Sequence, residues 1–244
     1  MPPRRLTATA VENDRTGSET LTLVDTAYRD LRRDIIGGVF APGQPLRLEV
    51  LRARYGLSFS PLREALNRLQ SERLVQSAPL RGFSVAPFSA AQMWDAVETR
   101  VLVECEALRR AIAAGDDAWE ARIVAAFHAL NLKTKRLATR TTPPTAEEAQ
   151  EIETSHYEFH RALIDVCGSP RLLDLADKLY AETERYRQPT LTGRTPKGTP
   201  RDVALEHREI MDATLAREEA RAIELLAAHY RRTATLVEAS LDAK

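Results

Sequence analysis

The chain has 244 residues and a mass of 27.3 kDa, room for one large or two small domains with a real core, which excludes a small stapled scaffold. Ten glycines and 13 prolines are few for this length, and Ala, Leu, Arg and Glu dominate, so helices are favoured over sheets and collagen-like repeats. The charge balances at 35 basic against 35 acidic residues, but unevenly: residues 23–87 hold ten Arg, no Lys and six acids, while residues 88–244 hold 22 bases against 26 acids. A basic module joined to an acidic one suggests a polyanion partner for the former, a solvated surface being the plainer alternative. Cys105 and Cys167 are too far apart for a CxxC, so no disulfide framework or thiolate zinc cluster can be built from them. No apolar run approaches ~18 residues, and the start, Met1-Pro2-Pro3-Arg4-Arg5, leads into no apolar signal core. The expectation is a cytoplasmic chain with no membrane partner.

Residues 1–20 are polar and aperiodic and read as a flexible N-terminal arm. From there Leu23, Ala27, Leu31 and Ile35 repeat every four residues up to Gly37-Gly38, which predicts a first helix. Ala41-Pro42-Gly43-Gln44 is a turn; Leu48, Leu51 and Tyr55 mark a short second helix closed by Gly56. Ser60 is suited to cap a third helix opening at Pro61, with Leu62, Ala65, Leu66 and Leu69 as its buried stripe and Arg63 and Asn67 facing outward. Beyond Leu74-Val75, two β-prone stretches flank Pro79-Leu80-Arg81-Gly82 and predict a hairpin. Beyond Pro87 the pattern predicts six long helices, near 90–114, 118–138, 146–167, 170–187, 200–216 and 218–240, separated by capping boxes and Gly or Pro punctuation. The predicted fold is mostly α: a winged helix-turn-helix over 21–87 followed by an all-α bundle over 88–241.

A helix packed through a tight turn on a second helix can lie in a major groove with its amino end towards the base edges. Ser58, Ser60 and the helix amino terminus are placed to donate to phosphates, and the two-donor fork of Arg63 suits guanine O6 and N7. Arg81 and Gly82 at the wing tip are candidates for phosphate or minor-groove contact. An ordinary packing module with exposed arginines is the competing interpretation.

Residues 21–87 resemble the winged helix-turn-helix of the GntR family of bacterial transcription regulators. The likeness runs through Tyr28 to Gly38, Pro42-Gly43, Leu46 and the unbroken stretch Gly56-Leu57-Ser58-Phe59-Ser60-Pro61-Leu62-Arg63-Glu64-Ala65-Leu66-Asn67-Arg68-Leu69. Residues 88–241 are similar to the all-helical FCD effector domain of the FadR-like branch, through Arg100-Val101-Leu102-Val103-Glu104, Phe159-His160 and Gly168-Ser169-Pro170-Arg171-Leu172. The resemblance implies a homodimer that binds double-stranded, two-fold-symmetric operator DNA and is released or rearranged by a small metabolite; the chemistry of a bound cation makes a small organic acid the expected class. Two positions depart from the pattern: Phe59 stands where Arg is usual and Arg73 where Gly is usual, so the operator sequence cannot be carried over.

Four of the five histidines fall on helix faces that can converge. His156 and His160 are one helical turn apart, and His207 and His229 lie about equally far from a turn near Ala216-Arg217-Glu218, at matching heights on back-to-back helices. Separate histidines in the core or facing water are the alternative for each. The resemblance implies a divalent metal held by an Asp and three His; His160, His207 and His229 match the histidines, and His156 stands at the usual Asp. A fourth neutral imidazole disfavours Mg²⁺ and Mn²⁺ and suits Zn²⁺, Ni²⁺, Co²⁺ or Cu²⁺, with zinc the choice weighted by availability. Ordinary imidazole basicity sets metal loss as the pH falls towards ~6. Arg100, at the family's pocket arginine, is the candidate clamp for an effector carboxylate, with a solvent-facing helix arginine as the alternative. A metalloenzyme or metal-binding bundle is the competing function. His156-Tyr157-Glu158-Phe159-His160 differs from HExxH, however, since Glu158 is one place too late to reach a metal-bound water, and no GxSxG, phosphate loop or dinucleotide fingerprint occurs.

Overall fold

The computed structural model describes residues 22–139, 142, 144–191 and 201–242; the expected arm over 1–20 and the expected cap at Thr199-Pro200 lie outside them. Thr22 and Asp25 form a reciprocal capping box that opens α1, Leu23–Ile36, and Gly37 closes it. Its buried face is Ala27, Leu31 and Ile35, whereas Leu23, first in the expected repeat, is exposed because it precedes the turn that packs. Helix α2, Leu48–Tyr55, ends at Gly56, which takes the left-handed conformation (φ 67°) that only glycine adopts without cost. Helix α3 spans Phe59–Ser71, so Ser58 is its N-cap and the expected cap at Ser60 lies one position inside. Pro61 still falls in the first turn, where a missing N–H breaks no helical bond. Strands β2, Val75–Ala78, and β3, Gly82–Val85, form the predicted hairpin, and β1, Pro45–Leu46, pairs with β3 to give the antiparallel order β1-β3-β2. Two residues carry no alternating pattern, so β1 could not be read from the sequence.

Leu31, Leu51, Leu62, Leu66 and Leu69 make the core of this domain, all fully buried. Asp34 at the end of α1 accepts from Arg54 Nε (2.9 Å) and Tyr55 OH (2.8 Å), which pins α2 to α1. Burial raises its carboxyl pKa, but the bonds from Tyr55 and Arg54 outweigh that and hold it low.

The six expected long helices are present as α4 Ala90–Ala114, α5 Asp117–Ala138, α6 Ala146–Ile164, α7 Pro170–Leu191, α8 Val203–Leu215 and α9 Glu219–Asp242. Caps from Ser89, Asp116, Thr145 and Asp202 open α4, α5, α6 and α8, and α7 runs on through Gln188–Leu191, where a loop was expected. The α4–α5 turn is tight because Gly115 lies under Trp119: a Cβ there would sit 2.0 Å from the indole, which is fully buried and donates to Ala162 O at 2.8 Å.

Helix α7 joins the two domains. Its stretch Glu182-Thr183-Glu184-Arg185-Tyr186-Arg187 is dense in charge, yet every one of the six is buried. Towards the winged domain, Glu184 pairs with Arg32 of α1, Glu182 meets Arg73 at 3.5 Å, and Arg185 donates to the Ala86 and Pro87 carbonyls. Tyr186 packs edge-on against Phe88 of the connector. Towards the bundle, Thr183 and Arg187 enter the polar interior. Arg73 has φ 57°, the left-handed region, which explains why a glycine suits that position.

Gly115→Ala should lower the stability of the helical domain by about 1–3 kcal/mol through overpacking against Trp119, measured by urea denaturation. Arg32→Ala leaves the buried Glu184 carboxylate without its charge partner; a loss of about 3 kcal/mol is expected, with the winged domain melting separately from the bundle in calorimetry.

Candidate metal centre and nucleic-acid interface

The four expected histidines converge. His156 and His160 come from α6, His207 from α8 and His229 from α9; all are buried, and their ligand atoms lie within 4.8 Å of one another. Rings of His207 and His229 are 4.6 Å apart, as the matching heights on back-to-back helices require. His128 is exposed on α5 and takes no part.

Hydrogen bonding fixes the tautomers of three rings. Tyr180 OH donates to Glu153 Oε1 at 2.6 Å, so its oxygen is left to accept from His156 Nδ1 at 2.8 Å. Tyr230 OH donates to Glu104 in the same way and accepts from His160 Nδ1 at 2.9 Å. Glu206 accepts from His229 Nδ1 at 2.8 Å. With their protons on Nδ1, all three rings carry lone pairs on Nε2. Two of these, on His156 and His160, face each other at 3.2 Å with no proton to share. The Nε2 of His207 is buried and has no hydrogen-bond partner among the described residues.

Burial, chiefly, lowers the pKa of all four imidazoles, with nearby cations and the other rings adding to it; His229 is lowered to about 4. The rings are therefore neutral at physiological pH, and protons compete for them well below the pH ~6 expected from ordinary histidine. Glu206 behaves oppositely: burial raises its pKa, but Arg201 and His229 outweigh that and hold it far below the usual carboxylate range.

Arg100 is 2% exposed, so the solvent-facing alternative does not hold. Its guanidinium donates to Glu104, to Thr183 Oγ1 at 3.2 Å and to Tyr230 OH at 3.2 Å, and lies over the Tyr230 ring. It backs the tyrosine that orients His160 and borders a cavity of about 20 Å³. A larger cavity of about 320 Å³ opens on the other side of the histidines, and Arg187 and Arg201, not Arg100, are the arginines at its edge.

In the winged domain, Ser58 at the N-cap and Phe59, Ser60, Arg63 and Asn67 along α3 are all exposed, while Pro61, Leu62, Ala65 and Leu66 on its other face are buried. Arg81 and Gly82 are exposed at the wing, next to a fully exposed Leu80. Arg63 makes no hydrogen bond or ion pair among the described residues, so its guanidinium is available.

Residues 23–85 match the model of the bacterial regulatory proteins, gntR family, and residues 95–232 match that of the FCD domain. The chain belongs to the GntR family and carries its FCD domain. It is a DNA-binding transcriptional regulator and not an enzyme. Among curated relatives, an uncharacterized HTH-type transcriptional regulator, BphR, of Paraburkholderia xenovorans (strain LB400) is 38% identical over 88% of this chain and 85% of its own length. The HTH-type transcriptional repressor GlaR of Escherichia coli (strain K12) is 36% identical over 86% of this chain and 93% of its own. A solved structure of E. coli McbR/YncC shares the fold, with a TM-score of 0.72 and 19% identity over 91% of this chain and 100% of that one.

Where family members carry Arg, this GntR regulator has Phe59, and the structure brings Arg52 of α2 to 5.4 Å from the centre of the Phe59 ring. A cation thus stands at that corner by a different route, which the spacing of α2 and α3 in sequence did not reveal. The partners of the histidines, Tyr180, Tyr230 and Glu206, were also missed. Glu206 and Tyr230 each adjoin a candidate histidine in sequence, a weak signal, whereas nothing local marks Tyr180. No helix among the described residues is long and apolar enough to cross a membrane.

Arg63→Ala should weaken binding to a specific operator by about 1–3 kcal/mol and relax base preference in a mobility-shift titration; equal loss on every sequence would make Arg63 a phosphate contact.

Proposed function

We propose that this regulator is a homodimeric, metabolite-responsive repressor whose helical domain holds a divalent cation, zinc by availability, and senses a small carboxylate there. The observation that carries it is the set of buried lone pairs. Two Nε2 atoms at 3.2 Å with no proton between them repel, and an orphaned third, on His207, adds to the cost. The separation is close to the ~3.3 Å that two nitrogens subtend at a tetrahedral ion with bonds of ~2.0–2.1 Å. His156, His160, His207 and His229 would hold the ion, with Tyr180, Tyr230 and Glu206 orienting the first, second and fourth of them. When bound, the ion would supply positive charge to the adjoining cavity and, on expanding to a fifth ligand, a Lewis-acid coordination position.

The chain's own residues prepare that cavity. Arg187 is held by Glu153, and Arg201 by Glu206 at 2.7 Å, so both arginines line it in fixed positions. Four neutral donors select borderline metals over the hard Mg²⁺ and Mn²⁺. Repression accords with GlaR, itself a transcriptional repressor, and a dimer on a two-fold operator accords with the habit of GntR regulators; Ser58, Phe59, Ser60, Arg63, Asn67, Arg81 and Gly82 form the exposed surface offered to DNA. The metal test is elemental. Protein purified and reconstituted with zinc should carry about one ion per chain and His160→Ala/His207→Ala almost none; a reconstituted wild type without metal would overturn the reading.

A further inference from the structure

The two arginines in the last turn of α2 serve different ends. Arg54 is committed to the fold: its Nε donates to Asp34 at 2.9 Å. Arg52 is exposed and makes no hydrogen bond or ion pair among the described residues; its guanidinium carbon lies 5.4 Å from the centre of the Phe59 ring. An exposed cation–π contact steadies a long side chain but leaves the N–H donors of the guanidinium unspent. Phe59, in turn, is 39% exposed at the first position of α3. Every other exposed residue of that helix, from Ser60 to Ser71, is polar or charged, and no acid stands in its first turn.

Two features of duplex DNA match this pair. The C5-methyl of thymine is the apolar group among the base edges of the major groove, so a lone apolar ring on a helix lying there is complementary to it. In a helix-turn-helix the first helix of the pair crosses the sugar-phosphate backbone, which brings a cation on α2 to a phosphate and not to a base. Only the turn between Gly56 and Ser58 separates the end of α2 from the start of α3, so both contacts fall at one corner of the reader.

We infer that Arg52 and Phe59 form one composite reading element: Phe59 packs on a thymine methyl, and Arg52, steadied by the Phe59 ring, grips the neighbouring phosphate. It rests on α3 being the surface offered to DNA, and adds to that surface a cation from α2 and a base preference imposed by a side chain with no hydrogen-bonding capacity.

The test uses the full-length protein and the duplex that it selects from a random-sequence pool. Thymines of that duplex are replaced singly by uracil, which lacks only the C5-methyl, and affinity is read by mobility shift. At one thymine in each half-site the wild type should lose about fourfold, the worth of one buried methyl, and Phe59→Ala nothing. Arg52→Ala should weaken binding about tenfold on selected and unrelated duplexes alike. It should also lower the slope of log affinity against log salt by ~0.9 for each chain bound, while Arg52→Lys keeps the slope. The losses from Arg52→Ala and Phe59→Ala should fall short of additive in the double variant, because the ring supports the cation. Uracil costing the wild type and Phe59→Ala alike at every thymine, or an unchanged salt slope in Arg52→Ala, would overturn the composite element and leave the α3 reader standing. A wild type that selects no sequence, or Arg63→Ala that binds the selected duplex as the wild type does, would overturn the α3 reader itself.

Discussion

A buried imidazole needs a partner for its ring N–H, and meeting that need for His156, His160 and His229 organises the helical domain. Tyr180 and Tyr230 serve two rings, and each can accept from an imidazole because a carboxylate, Glu153 or Glu104, takes its own proton. Those carboxylates are themselves buried and need cations, which Arg187 and Arg100 supply. Thr183 then accepts from both arginines. The result is one connected polar network reaching α4, α6, α7 and α9, surrounded by an apolar core that includes Phe159, Leu163, Ile210 and Leu226. Truncating one member exposes the next to an unsatisfied charge, so the network stands or falls as a unit.

That network ends on α7, which is also where the winged domain docks. Thr183 and Arg187 point into the histidine site; Glu182, Glu184 and Arg185, interleaved with them, hold Arg73, Arg32 and the Ala86–Pro87 connector. An α-helix is stiff over six residues, so a shift of its backbone carries all its side chains together. A movement of α7 that displaces Arg187 and Thr183 therefore displaces Glu184 and Glu182 too. The histidine site and the docking face of the winged domain share a physical part, helix α7, a stronger link than proximity alone.

The ledger between sequence and structure divides by range. Helix ends were legible wherever a local cap marks them: Thr145 with Glu148, Ser89 with Gln92, and Gly56 after α2. The outward face of α3 followed from the spacing of Leu62, Ala65, Leu66 and Leu69, and the histidine cluster from one helical turn plus one symmetric hairpin. Arg100 was read as a residue for the ligand because its sequence neighbours say nothing of Glu104, Thr183 and Tyr230 closing around it. The strand β1 and the extension of α7 past Gln188 were likewise invisible, because tertiary pairing and packing overrule a weak local preference.

By itself the sequence determined the helices, the basic reader with Arg63 and Asn67 turned outward, and the four imidazoles at matching heights, since periodicity and capping are properties of a few consecutive residues. Only the tertiary structure decided that the polar run from Glu182 to Arg187 is buried, that His156, His160 and His229 carry their protons on Nδ1, and that a cavity lined by both polar and apolar side chains adjoins them. Each depends on groups brought together from distant parts of the chain, and burial and pairing of that kind leave no local signature.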